Sequence, residues 1–182
     1  QFHRLDKAKD KNFWSVRVNS DVRLIVHRTD GSLLLCYVGH HDKAYDWAER
    51  RKLEVHPKTG AAQLVEIRET VKEIVVPVYV PAEQPAKPRA PAPAKPVAIL
   101  AGIPDEELLS YGVPAEWVAD VKAATEDSLL TLADHLPAEA AEALLELATG
   151  GKPRVSQPVA AAQNPFDHPD AQRRFRVMTN VE

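Results

Sequence analysis

The sequence predicts an α+β fold class: a small antiparallel sheet with a packed helix, followed by a proline-rich linker and a small all-α segment. Three observations predict it. Apolar and polar residues alternate with a period of two through residues 13–28, the mark of half-buried strands. A tight turn and a helical pattern follow the next apolar run, over residues 39–52. From residue 104 onward, proline starts and glycine stops punctuate short stretches of helical spacing,.

The strands come first. Trp14, Val16 and Val18 alternate with Ser15, Arg17 and Asn19, and Val22, Leu24 and Val26 alternate with Arg23, Ile25 and His27. If Asn19-Ser20-Asp21 closes the hairpin, Val18 faces Val22, Val16 faces Leu24 and Trp14 faces Val26, so six apolar side chains are expected to share one buried face,. The same register sets Arg17 opposite Arg23 on the other face. Like charges directly opposed on a sheet are mildly destabilising unless an anion lies between them, and a phosphate is the natural one. Thr29-Asp30-Gly31-Ser32 is the next hairpin turn, and Leu33 to Val38 is expected as a central strand,. Cys36 lies in that run as the lone cysteine; it is expected as a buried thiol in a reducing, cytoplasmic compartment.

After Gly39, the run His40-His41-Asp42-Lys43-Ala44-Tyr45-Asp46-Trp47-Ala48 reads as turn into helix. Asp42 is the expected N-cap, and Arg50, Arg51 and Lys52 are expected in the last turn, where the macrodipole favours cations,. Ala44, Trp47, Ala48 and Arg51 share a helical face, which marks Trp47 as a core anchor. His40-His41-Asp42 resembles part of a metal site, but no further ligands at helical spacing complete it, and no metal is expected.

Pro57-Lys58-Thr59-Gly60 is a further turn, and Ile74 to Val80, interrupted by Pro77, reads as an extended edge segment,. Six prolines lie within residues 81–97, a semi-rigid spacer. Four short helices are then expected, opening at Pro104, Pro114, Thr125 and Pro137, with stops at Gly112 and Gly150,. The expected division is therefore 1–80 for the α/β module, 81–97 for the linker, 98–150 for an acidic four-helix segment and 151–182 for a second linker and the start of a further domain. Charge follows this division. Residues 1–54 hold 11 Lys and Arg against 8 Asp and Glu, whereas residues 101–150 hold 11 Asp and Glu against Lys122 alone. A basic head and an acidic body suit different partners. No run reaches the roughly 20 apolar residues of a membrane helix, so no membrane partner is expected.

The order Phe13 to Asn19, Val22 to Val26, Leu33 to Val38, then Gly39-His40-His41-Asp42 and Ala44-Tyr45 resembles the C-terminal half of a RelE/ParE toxin fold. The family's N-terminal helical hairpin is missing here, and a first residue other than methionine fits the expectation of a fragment cut at both ends. The resemblance implies that Arg17, Arg23, His41 and Tyr45 occupy the positions of the RNA-cleaving members' active residues. In that chemistry an RNA 2′-hydroxyl attacks the adjacent phosphate, with arginines holding the developing charge and a histidine moving a proton. One lysine position of those members is Ser15. Arg17, Arg23, His27 and His40 are the candidate nucleic-acid contacts.

The acidic segment and the tail Asn164 to Val177 are similar to the region between a RelE-like head and the motor of certain bacterial UvrD/Rep-type DNA helicases. That resemblance implies an N-terminal accessory region of a helicase, with DNA or RNA phosphates and the motor domain in cis as partners. No Gly-x-x-x-x-Gly-Lys-Ser/Thr loop is present, so ATP and Mg are expected only for the motor, outside this chain. Two other readings stay open: a ribosome-dependent mRNA endonuclease of the RelE type, and a protein-interaction module.

Overall fold

The computed structural model describes residues 2–71, 97–155, 157–160 and 164–175. The chain is α+β, and its first unit is a four-stranded antiparallel sheet in the order β1 (Phe2–Arg4), β2 (Phe13–Arg17), β3 (Val22–Arg28) and β4 (Leu33–His40). The β2–β3 register is the one that the alternation implies, with Trp14 opposite Val26, Val16 opposite Leu24 and Arg17 opposite Arg23. Val18 N–H donates to Val22 O at 3.1 Å and closes the loop over Asn19-Ser20-Asp21. The Thr29–Ser32 turn also closes, Thr29 N–H donating to Ser32 O at 2.9 Å.

The buried face is the opposite of the one expected. Helix α1 (His41–Glu49) covers the side that carries Phe13, Ser15, Ile25 and His27, all buried, while on the expected face only Val26 is buried, Trp14, Val16, Val22 and Leu24 are half-buried and Val18 is exposed. Small residues decide this: Ala44 and Ala48 let the helix axis approach closely, and Phe13 and Ile25 fill the space with Leu5, Ala8 and the flanks of Tyr37 and Trp47,. Alternation reports two faces but not which one receives the helix. β4 is an edge strand rather than a central one, with β1 at the other edge. A bulge between Ile25 and Val26 leaves Cys36 unpaired in register, and burial pushes its thiol up to about 12, the state of an inert cysteine.

Helix α1 also departs from expectation at its ends. Its N-cap is His40, without a side-chain cap bond, and Asp42 lies in the first turn. The helix stops at Glu49 because Arg51 already begins strand β5 (Arg51–Val55), so Arg51 and Lys52 sit in a strand rather than a last turn. Trp47 packs against the core instead of filling it, stacked on Tyr37 at 5.0 Å with the Arg51 guanidinium 5.1 Å from its ring.

β5 pairs with β6 (Ala62–Glu66) across the Pro57–Gly60 turn, where Gly60 takes φ 71, a conformation that suits glycine. This hairpin belongs as much to the helical body as to the head. Val65 shares a core with Leu108, Val113, Trp117, Leu129 and Leu144. The expected helices are present as α2 (Asp105–Ser110), a 3-10 turn leading into α3 (Val118–Ala123), α4 (Glu126–Ala133) and α5 (Ala138–Ala148). Pro104, Pro114 and Pro137 serve as N-caps, Thr125 forms a capping box with Ser128, and Gly112 and Gly150 close two helices at φ 83 and φ 79,. The expected 81–96 part of the linker and the Ile74–Val80 segment lie outside the described residues. The tail helix α6 (Pro169–Arg174) docks on α5 through the buried Arg174–Glu139 ion pair and Arg173–Glu142 at 2.9 Å. Burial lowers the Arg174 guanidinium to about 10.

Three polar ties join hairpin to helices. Trp117 Nε1–H donates to Glu66 O at 2.9 Å, Gln63 Nε2–H to Gly112 O at 2.9 Å, and Arg68 grips Asp120 through Nε at 2.8 Å and Nη2 at 2.7 Å. Trp117 is fully buried. Trp117→Phe is therefore expected to cost about 2 kcal/mol, the range for orphaning a buried acceptor, read as a lower urea midpoint with an unchanged slope.

His56 is a fourth tie and a pH-sensitive one. Its ring is fully buried, Nε2–H donating to Val113 O at 2.9 Å while Nδ1 accepts from Lys58 N–H at 3.2 Å and Thr59 N–H at 3.1 Å. Both nitrogens are thus occupied in the neutral form. Burial holds its pKa below the ordinary value, against the opposing pull of the Val113 carbonyl and Glu54. As pH falls through the unfolded value of about 6.5, the unfolded chain takes up the proton first, so the stability this histidine contributes is lost going downward. Denaturant unfolding at pH 7.5 and 5.5 (both set from about 6.5) is expected to show the loss, and His56→Gln to shrink the difference between the two.

Candidate nucleic-acid interface

Arg17 and Arg23 stand opposite each other at the open end of the α1-covered face. The loop that joins their strands holds them. Asn19 Oδ1 accepts from Asp21 N–H at 2.9 Å and Val22 N–H at 2.7 Å, an Asx turn that aims the Asn19 carbonyl back at the strands,. That carbonyl accepts from Arg17 Nε at 3.0 Å and from Arg23 Nη1 at 3.1 Å, and Arg23 Nη1 also reaches Val22 O at 3.2 Å. One neutral oxygen therefore tethers two guanidiniums without neutralising either.

The carboxylate nearest in sequence is used elsewhere. Asp21 pairs with His40 Nδ1, and its main-chain carbonyl accepts from His41 N–H at 2.8 Å. Arg17 and Arg23 have no ion-pair partner among the described residues. Gly39 lies opposite Arg23, and a Cβ there would meet the Tyr37 ring at 2.8 Å. Its missing side chain makes room for the Tyr37 ring.

The first turns of α1 face the same end of the sheet. The His41 ring stacks on Tyr45 at 4.5 Å, His41 Nδ1 is 3.0 Å from Asp42 Oδ1, and the Tyr45 hydroxyl is 3.1 Å from Ser15 Oγ. Ser15 is fully buried, so this position contributes a hydroxyl brace beneath Tyr45 rather than a cation. Arg17, Arg23, His41 and Tyr45 thus lie at one end of the head, the arginines toward solvent and the tyrosine hydroxyl turned inward.

The two remaining histidines fall elsewhere. His40 pairs with Val22 and so projects from the opposite face, near Asp21. His27 is buried at the other end of β3, edge-on to Phe13 at 5.5 Å, with Nε2 3.3 Å from Asp10 Oδ2. It is a core brace without a surface to offer. Asp10 also accepts from Asn12 N–H at 3.0 Å and Leu53 N–H at 2.9 Å. Burial by itself would raise the Asp10 carboxyl, but the His27 hydrogen bond and these two amides hold it below the usual range,. Asn19 and Gly39 are the residues that sequence reading passed over. Their signal was present as an Asx-type loop residue and a glycine ending an apolar strand, but neither names what it positions.

An open polar cavity of about 410 Å³ lies between the Lys9–Asp10 loop and β5. Its charges already answer one another, Lys9 with Glu69 and Lys52 with Glu54 at 2.8 Å and Glu116 at 2.7 Å. The arginine pair is the stronger site because its charge is unanswered. Among the described residues no cluster of three His, Cys, Asp or Glu could hold a metal ion, and no helix is long and apolar enough to cross a membrane. No protein-family model, curated protein or solved structure matches the chain.

Proposed function

We propose that the head binds the phosphate backbone of single-stranded nucleic acid through Arg17 and Arg23, and that it does so within the accessory region of a UvrD-like DNA helicase. The observation that carries the first part is the pair of opposed guanidiniums, tethered only by main-chain carbonyls while Asp21 is drawn off to His40. Two parallel forks on a rigid sheet suit phosphate oxygens, which accept bidentate hydrogen bonds from arginine. An anion between them also removes the like-charge repulsion that the register creates. The helicase context is supported by the resemblance of head, acidic segment and tail to the region ahead of such motors; ATP and Mg belong to that motor.

Binding without cleavage is the reading that the proton-transfer groups favour. His41 is engaged by Asp42 and stacked on Tyr45, whose hydroxyl meets Ser15. The competing endonuclease reading assigns catalysis to Arg17, Arg23, His41 and Tyr45, and ribosome-dependent cleavage of RNA abolished by Tyr45→Phe and His41→Ala would establish it instead.

The deciding experiment measures binding of single-stranded DNA and RNA oligonucleotides at two salt concentrations. Arg17→Ala/Arg23→Ala is expected to weaken binding by about tenfold for each arginine and to lower the salt slope by roughly 2. Both side chains are at the surface end of their strands, so the fold is expected to survive. Equal affinity and slope in wild type and variant would end the proposal.

A further inference from the structure

The face of the sheet turned away from α1 has no cover among the described residues. Phe2, Val18, Leu33, Leu35 and Val38 belong to it by register and alternation, and they are five of the eleven exposed large hydrophobic residues among the described residues, between 45% and 63% exposed. Half-buried Trp14, Val16 and Leu24 and the fully buried Val26, opposite Trp14 and Leu35, fill the space between them. Scattered exposed apolar residues are ordinary, but a contiguous sheet face of them marks an interaction surface.

Its charge has one sign at one margin. Arg4 and Arg28 occupy outward strand positions, and none of the outward positions of β1 to β4 is Asp or Glu. The Arg28 guanidinium lies 5.6 Å from the ring centroids of both Phe2 and Trp14. Neither arginine has a carboxylate partner among the described residues.

Charge and dimensions together choose among occupants. Four strands at about 4.8 Å spacing make a face about 15 Å across and about 20 Å long. A second copy packed face to face would bring its own Arg4 and Arg28 and no outward strand carboxylate to answer them, whereas a helix with an acidic flank answers both. A helix about 10 Å wide and three to four turns long matches the face. Nucleic acid fits poorly, because stacking needs free rings; the two outward rings already lie beside Arg28, and the rest of the face is aliphatic.

We propose that this face docks an amphipathic α-helix of three to four turns from a partner protein, its apolar stripe on Leu35, Val38, Leu24 and Trp14 and its acidic flank toward Arg28 and Arg4. The surface is distinct from the Arg17–Arg23 end and does not depend on it.

The test uses the full chain and three labelled probes: a designed helix of about four turns with a leucine stripe and glutamate flanks, the same helix with lysine flanks, and an oligothymidylate of about 15 nucleotides. Anisotropy gives the affinity and amide NMR shifts map the contact. The glutamate-flanked helix is expected to bind and to shift the amides of Val18, Leu35 and Val38. Leu35→Glu/Val38→Glu is expected to weaken it by at least about tenfold with an unchanged circular dichroism spectrum, both residues being exposed. Arg28→Glu should weaken the glutamate-flanked helix and strengthen the lysine-flanked one, and Arg17→Ala/Arg23→Ala should leave both as they were. Equal binding of the two helices, no binding of either, shifts on this face with oligothymidylate instead, or self-association abolished by Leu35→Glu would each overturn the assignment.

Discussion

The head's properties follow from the seating of α1 on the Phe13–Ile25 side of the sheet. Ala44 and Ala48 are fully buried there, and their small side chains bring the helix close enough for Trp47 to lie flat on Tyr37. That contact sets the buried face, and everything polar then sorts itself around it. Arg17 and Arg23 extend the buried rows of β2 and β3 beyond the helix, so they emerge at the rim beside His41 and Tyr45. Had the helix chosen the other side, Trp14, Val16 and Leu24 would be core and the arginines would lie on an open face without a helical neighbour. The present choice leaves the aliphatic face uncovered instead.

A second constraint ties head to body. β6 is buried along most of its length because the head side holds Leu64 while the helical side holds Val65 and the Trp117 indole. Asp10 reinforces the seam from the head by accepting from Leu53 N–H while bracing His27. Much of the acidic charge of the helical segment is spent on the chain's own cations: Asp120 on Arg68, Glu116 on Lys52, Glu106 on Lys58, Asp105 on Lys122. Several of these pairs are well exposed and individually worth little. Together with the buried Trp117 and Gln63 bonds they orient the hairpin against the helices, so the polarity of charge along the chain has a structural use inside the molecule. It is also the reason that the arginine pair stands out: most other basic side chains near the seam have found a carboxylate.

How much of this was legible beforehand differs by element. The β2–β3 register followed from period-two alternation and a three-residue loop, because a slip of one residue would move every side chain to the wrong face. The four helices of the body were legible from Pro104, Pro114, Thr125 and Pro137, since caps and missing amides act locally. The β5–β6 hairpin was not. Arg51-Lys52-Leu53 carries the charge pattern of a helix end, and only the helical body packed over β6 makes an extended strand the better state. His27 was misplaced for a related reason: alternation put it on the arginine face correctly, but burial under Phe13 and pairing with Asp10 come from a loop that is remote along the chain.

The sequence by itself determined strands β2 to β4 and their hairpin pairing, the starts of the body's helices and the opposition of Arg17 to Arg23, all of which rest on interactions between residues close along the chain. Only the tertiary structure decided which sheet face is core, that β4 is an edge, that the hairpin joins the helical body, and that Asp21 answers His40 rather than an arginine. Those outcomes depend on competition between partners far apart in sequence, where packing volume and the position of a single carboxylate select one arrangement from several that local patterns allow equally.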